Sequence, residues 1–151
     1  MKRTMIEVIK AHASDFPNLS AALDQVTSPQ DPFYNCIAWA AGETHRWWWP
    51  GFFSYWPAGV PRTPTLRSFE AAFATMGYQK CACQDFTATA HEREHVAIYA
   101  NGQEPTHGSR QLADGSWTSK LGQAEDVCHK DLSGVAGGAY GAVVLILCRE
   151  R

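Results

Sequence analysis

The sequence lacks the features that mark several classes of protein. It has no cluster of basic residues, and 13 Lys and Arg against 15 Asp and Glu give a net charge of −2. Because nucleic-acid surfaces are built from such clusters, we expect no nucleic-acid partner. The longest apolar run, residues 142–148, is too short to cross a bilayer, so we also expect no membrane association.

No secretory signal is visible either, since the residues after Met1 contain no extended apolar stretch. The five cysteines are an odd number, and nothing else in the sequence indicates an oxidising compartment. We therefore expect free thiols in a cytoplasmic protein, with export by a signal-independent route left open. The 151 residues contain no internal repeat and no low-complexity linker, which predicts a single domain over 1–151.

Helix signals occur in the N-terminal half. Residues 1–30 predict a weakly helical lead-in, with apolar residues at near-helical spacing up to Val26. A clearer helix is predicted between Thr63 and Gly77, with Thr63 as its N-cap and Pro64 at its first position.

A short buried helix is predicted around Cys36. Asn35 is a favourable N-cap, residues 37–41 are apolar nearly all round, and Gly42 suits the position after the helix. The segment 47–64 that follows carries four Trp and four Pro, which is too much proline for regular structure. It predicts an aromatic loop that lies over one face of the domain.

The C-terminal half predicts a mostly antiparallel sheet. Residues 96–100 are an apolar run before a turn-forming Asn-Gly pair, and residues 106–112 alternate loosely. Residues 116–121 follow a second turn, and the β-branched run 142–148 is typical of a central strand. Helices followed by strands predict an α+β fold.

The stretch HEREH, from His91 to His95, has two interpretations. On a helix, the two histidines would be zinc ligands and Glu92 would be the general base of a metallopeptidase. A third ligand would come from Glu125 or Asp126, which otherwise predict the first turn of a short helix. The apolar run after His95 favours a strand instead, so the zinc metallopeptidase is kept as the alternative function.

A second possible metal site combines Cys81 and Cys83 with the same two histidines. The spacing of these cysteines is tighter than in the usual zinc sites. We interpret both as ordinary thiols and expect neither a metal nor another cofactor.

On a strand, His95 becomes a candidate partner for a cysteine nucleophile. The start of the helix at Cys36 favours a thiolate, and its backbone N–H groups can stabilise an oxyanion beside the sulfur. Such a nucleophile needs an imidazole base, and often a polar group that orients the base. His95 and His107 begin two predicted strands, and their spacing leaves open which of them faces the cysteine.

Cys36 at a helix start, followed by HVAIYANGQEPTHGS at residues 95–109, resembles the NlpC-type branch of the papain-like cysteine peptidases. The resemblance implies a papain-like fold, with N-terminal helices, the nucleophile at a helix N-terminus and a mostly antiparallel sheet. It implies Cys36 as the nucleophile, His95 as the base and His107 as the orienting residue. The alternative assignment makes His107 the base and leaves His95 a structural role.

Four further segments resemble an uncharacterised bacterial domain family that we also place in the papain-like fold. They are VTSPQDPFYNCIAWAAG, RWWWP, THGSRQLADGSWTSKLG and YGAVVLIL, and the resemblance covers residues 15–148. The chain differs from the NlpC pattern in having Asn35 before the cysteine and Ile37-Ala38 after it, where Asp and Ser-Gly are usual. The difference leaves the substrate class open.

The sequence thus predicts a thiol-dependent amide hydrolase, which is a peptidase, an amidase or a deamidase, acting through a thioester at Cys36. The expected partner is a peptide or protein substrate, such as a cell-wall peptide, and a toxin-like effector also fits. Trp48 and Trp49 are expected to line its cleft and Arg110 to face a substrate carboxylate. A non-catalytic binding module would instead use the aromatic loop to hold a partner.

Overall fold

A computed structural model describes residues 2–81 and 89–151 of the chain. These residues form three α-helices and seven β-strands, which confirms the α+β interpretation. The helices are α1 (Met5–Ala11), α2 (Cys36–Ala40) and α3 (Leu66–Ala74), and a 3₁₀-helix spans Leu132–Val135. The strands are β1 (Gln25–Ser28), β2 (Gln79–Lys80), β3 (Arg93–Asn101), β4 (Glu104–Gln111), β5 (Trp117–Lys120), β6 (Asp126–His129) and β7 (Ala142–Glu150). None of the described helices is long and apolar enough to cross a membrane.

The seven described strands form one open antiparallel sheet in the order β1-β6-β5-β4-β3-β7-β2. The strands predicted at 96–100, 106–112, 116–121 and 142–148 correspond to β3, β4, β5 and β7. β3 lies between β4 and β7 and pairs with both, so its side chains alternate between the two faces of the sheet.

Each face of the sheet carries its own apolar cluster. Val96 and Ile98 of β3 pack in a cluster with residues of α2 and α3, on what we call the α2 face. Ala97 and Tyr99 belong to a second cluster, which includes Val8 of α1 and defines the α1 face. The core therefore consists of two layers separated by the sheet.

β4 and β5 separate at one end. Their ladder contains only two pairs, and these lie at the Arg110 end of β4. Gly108 lies beyond that ladder, and Thr106 is an additional residue that interrupts the pairing of β4 with β3. The two strands therefore leave a gap beside residues 106–108, which we call the β4–β5 gap.

The helix predicted around Cys36 is confirmed as α2. The Asn35 side chain accepts a hydrogen bond from the backbone N–H of Ala38 at 3.2 Å, as an N-cap residue does. Gly42 ends the helix with a φ of 87°, which a residue without Cβ adopts readily.

The structure corrects three boundaries. α3 is capped by Thr65 rather than Thr63, because the Thr65 hydroxyl accepts from the backbone N–H of Ser68. Val26 lies in β1 and not in a helix, since pairing with β6 overrides the local apolar spacing. Asp126 begins β6, so the short helix predicted at that point is wrong.

The strand interpretation of the HEREH stretch is confirmed, because β3 begins at Arg93 and carries His95. His91 lies before the strand, exposed, with its ring 3.3 Å from the carboxylate of Glu92. The helix that a zinc peptidase requires at this point therefore does not form. Among the residues described, no three metal-ligating side chains come together, and Cys83 lies outside them.

The segment 47–64 is the aromatic loop that the proline content predicts, with one isolated bridge between Trp48 and Tyr55. Trp48 and Trp56 are buried in the cluster on the α2 face. Their indole N–H groups donate to Glu43 and to the carbonyl of Pro61, each at 3.0 Å. The loop is thus part of the core, and its buried indole rings and their hydrogen bonds fix its position beside the start of α2.

Candidate active site

A pocket of about 310 Å³ opens beside the first turn of α2. Its lining consists of Asn35, Cys36, Trp47, Trp49, Thr106, Gly122 and Tyr140. None of these described lining residues is charged, and the aromatic rings make the walls largely apolar. The pocket therefore suits an uncharged group better than a charged one.

Cys36 is one of the residues that line this pocket, and it is only 6% exposed. Burial raises the pKa of the thiol to about 11, although backbone N–H groups of Gly108, Ile37 and Cys36 itself act in the opposite direction. Cys36 is therefore a protonated thiol at neutral pH. A reaction at its sulfur requires a base that removes the proton.

Asn35 fixes the aromatic wall of the pocket to the helix that carries the cysteine. Its Oδ1 accepts from the backbone N–H of Trp48 at 3.0 Å, in addition to capping α2. Its Nδ2 donates to the carbonyl of Trp48 at 2.7 Å. The pocket-lining residues Trp47 and Trp49 lie on either side of Trp48 in the chain. The bonds from Asn35 to Trp48 therefore fix the position of the aromatic wall relative to the thiol.

His107 lies next to Gly108 at the β4–β5 gap, with its ring on the α1 face and fully buried. The ring stacks on the pocket-lining Tyr140 at a centroid distance of 3.8 Å, and its edge meets Tyr99. Nε2 contacts the hydroxyl of Ser119 at 2.9 Å. Nδ1 has no hydrogen-bond partner among the described residues.

His95 lies elsewhere on the sheet. It is opposite Cys148 on β7, three residues before Ile98, the residue opposite Gly108. That offset corresponds to about 10 Å along the strand. Its neighbours include Gln111, at the end of β4 away from the gap. Of the two histidines, His107 is thus the nearer along the sheet to Gly108, the residue that contacts the Cys36 sulfur, and its ring lies on the face opposite α2.

The three predicted substrate-binding residues occupy different surroundings. Trp49 lines the pocket, whereas Trp48 is 1% exposed and lies in the core behind it. The guanidinium of Arg110 lies over the ring of Trp39 at 4.6 Å and near Gly42, at the end of α2 away from Cys36. Of the three, only Trp49 is in position to contact a ligand beside the thiol.

Lys120 is a fully buried cation near the pocket. Its ammonium group donates to three backbone carbonyls, those of Asp31 at 2.7 Å, Gly122 at 2.9 Å and Ala124 at 2.6 Å. These bonds use all three of its protons. Lys120 therefore acts as an anchor that holds the pocket-lining Gly122 in place.

Acidification is expected to destabilise the fold through its buried histidines. Burial holds the pKa of His107 well below its ordinary value and also lowers that of His129. Because the unfolded chain takes up these protons near pH 6.5 and the folded chain does not, protonation favours unfolding. The contribution of these histidines to the free energy of unfolding is fully present above about pH 6.5. Below that pH, each histidine lowers the free energy of unfolding by up to about 1.4 kcal/mol per pH unit.

The measurement is the free energy of unfolding in urea at pH 7 and pH 5, followed by tryptophan fluorescence. His107→Gln should reduce the difference between the two pH values, and His91→Gln, at an exposed position, should leave it unchanged. If the free energy of unfolding of the His107 variant still falls as much between pH 7 and pH 5 as that of the parent protein, His107 is not a source of the acid destabilisation.

The sequence gives no separate signal for Tyr140, Ser119 or His129, which reach His107 only through the pairing of the sheet and the return of the chain before β7.

Comparison with known proteins finds a family model, described as a domain of unknown function (DUF7689), that matches residues 25–148. No curated protein and no solved structure matches the chain. The matched range contains Cys36, His107 and every residue that lines the pocket. The chain belongs to the DUF7689 family.

Proposed function

We propose that the protein is a thiol-dependent amide hydrolase in which Cys36 is the nucleophile and His107 is the base. The observation that carries the proposal is that Cys36 lines a pocket with Tyr140, whose ring stacks on the buried ring of His107. The backbone N–H of Gly108, the neighbour of His107, contacts the sulfur, and Tyr140 lines the pocket while stacking on the His107 ring. Nδ1 of His107 is buried and has no hydrogen-bond partner among the described residues, so it is available to accept a proton.

The finer assignment to a papain-like fold is part of the same proposal. Its support is the order of the elements, since the short buried helix that begins at Cys36 comes before the antiparallel sheet and packs on one face of it. The histidine then comes from a strand of that sheet. His107 takes the role of the base, and this differs from the assignment that the NlpC resemblance implies.

The chemistry follows from the protonation states. The Cys36 sulfur attacks the carbonyl carbon of a bound amide while its proton passes through the β4–β5 gap to Nδ1 of His107, whose ring lies on the other face of the sheet. The N–H groups of Gly108 and Ile37 stabilise the negative charge that develops beside the sulfur. The amine leaves with the proton from Nδ1, and a thioester remains. A water molecule then gives a proton to His107 and attacks the carbonyl carbon of the thioester. The C–S bond breaks, the acid leaves, and His107 returns the proton to the Cys36 sulfur.

The lining of the pocket limits the substrate. The indole rings of Trp47 and Trp49 offer apolar contact area, and the described lining contains no charge that would pair with an ionic group. We therefore propose that the part of the substrate beside the scissile bond is uncharged and apolar. A peptide with an aromatic or aliphatic side chain fits this requirement better than a charged cell-wall peptide.

The test uses capped single amino acids joined by an amide bond to a fluorescent amine. The protein should release the amine from apolar members of the set in preference to Asp, Glu and Lys members. Mass spectrometry should detect the acyl group on the peptide that contains Cys36. Cys36→Ala should abolish both signals, and Cys128→Ala, at a half-buried thiol on β6, should retain them. Release that persists in the Cys36 variant, or no release from any member, would refute the proposal.

A further inference from the structure

A buried polar network lies behind His107 on the α1 face. The Ser119 hydroxyl is its centre, with Nε2 of His107 at 2.9 Å, Nε2 of His129 at 2.7 Å and the hydroxyl of Ser109 at 2.7 Å. All four side chains are completely buried. Each proton in such a network must be assigned to one bond, because a hydroxyl or a neutral imidazole has a single proton to donate.

The direction of the bonds can be derived from His129. Its Nδ1 lies 2.8 Å from the carbonyl oxygen of Asp131, which can only accept, so Nδ1 carries a proton. Burial lowers the pKa of His129, and the ring is neutral at pH 7. Its Nε2 therefore has a lone pair and accepts the hydroxyl proton of Ser119.

The other two contacts of Ser119 follow from this bond. A hydroxyl has a single proton and two lone pairs, so Ser119 must accept from both Ser109 and His107. The Tyr99 hydroxyl donates to the carbonyl of Leu132 at 2.6 Å and is therefore a second acceptor for the Ser109 proton. Its contact with Ser109 is 3.4 Å against 2.7 Å for Ser119, so the shorter bond to Ser119 takes the proton. The bonding capacity of the Ser119 oxygen is then complete.

The consequence for His107 is a single tautomer. Its Nε2 carries the proton that Ser119 accepts, and in the neutral ring Nδ1 is left with a lone pair. The stacked Tyr140 and the edge contact with Tyr99 restrain the plane of the ring, but they do not distinguish the two nitrogens. Only the bond to Ser119 does so.

We propose that Ser119 and His129 are positioning residues that hold His107 in the Nε2–H tautomer and so reserve Nδ1 as the acceptor of the Cys36 proton. The inference rests on the proposed function for its catalytic meaning. The tautomer itself is a property of the folded protein and can be measured without a substrate.

The matched pair of variants is Ser119→Ala and Ser109→Ala, which remove the same atoms from neighbouring buried positions of one network. Nitrogen-15 NMR of the histidine rings at pH 7 reports the tautomer directly. His107 should be in the Nε2–H form in the parent protein and in Ser109→Ala, and in a mixture of both forms in Ser119→Ala. Amine release per folded molecule should fall about tenfold or more in Ser119→Ala and less than about twofold in Ser109→Ala.

His129 offers a conservative rescue. In His129→Gln the side-chain oxygen replaces Nε2 as the acceptor of the Ser119 proton, so the His107 tautomer and most of the release should be retained. In His129→Leu both should be lost.

An Nδ1–H tautomer in the parent protein, or an unchanged tautomer in Ser119→Ala, would overturn the inference even if Cys36 proves to be the nucleophile. The reverse combination, in which the tautomers respond as stated but Cys36→Ala retains full release, would leave the network established and refute the hydrolase proposal instead.

Discussion

The His107→Gln variant is expected to lose amine release at pH 7 by a factor of about 100 or more, because the buried, protonated thiol then lacks the base that we propose for it. Glutamine is close to imidazole in size and keeps a polar group towards Ser119, so the fold should persist. The measurement is the initial rate with an apolar amide, normalised to the folded fraction determined by circular dichroism.

His95→Gln is the matched control, since it makes the same exchange at a completely buried histidine on the neighbouring strand. It should change the rate by less than about threefold, because His95 lies about 10 Å along the sheet from the contact with Cys36. A large loss in the His95 variant together with a small loss in the His107 variant would assign the base to His95, as the NlpC resemblance implies.

Lys120→Met should lower the free energy of unfolding by about 3–5 kcal/mol, the largest stability change that we expect from a single substitution outside the apolar core. Methionine has a similar shape but leaves three buried carbonyls, those of Asp31, Gly122 and Ala124, without their donor. The pocket should lose activity as well, since Gly122 is no longer anchored. Urea unfolding monitored by tryptophan fluorescence measures the change in stability.

Lys130→Met provides the comparison, because Lys130 is exposed directly after β6 and its ammonium group makes no hydrogen bond or ion pair with the described part of the chain. It should alter the free energy of unfolding by less than about 0.5 kcal/mol. If Lys120→Met costs less than about 1 kcal/mol, the carbonyls are satisfied in another way and the anchor role is wrong.

Local signals in the sequence were sufficient for the elements that carry the site. The Asn35 cap, the apolar turn after it and Gly42 predict α2, and the Asn-Gly turn predicts the hairpin of β3 and β4. These features depend on residues within a few positions of one another. Val26 is different, because it lies in an edge strand whose existence depends on pairing with β6, about a hundred residues later.

The spacing of residues in the sequence likewise cannot decide between His95 and His107 as the base. Thr106 is inserted in β4 and shifts the register of the hairpin just before His107, which decides where that ring lies relative to the gap. The same dependence on strand register explains why the sequence does not predict Ser119 and His129 as neighbours of His107. They meet His107 only when β4, β5 and β6 lie side by side, and neither residue stands in a recognisable motif.

Asn35 also explains the departure from the Asp that is usual at this place in the NlpC pattern. A carboxylate would cap α2 equally well, but it has no N–H to give to the carbonyl of Trp48. Because one amide joins the helix to the indole-bearing loop, that side of the pocket cannot widen without moving the nucleophile itself. A substrate therefore meets a wall whose width is set in advance. Binding loses little loop entropy there, and a group too thick for the opening is rejected rather than accommodated.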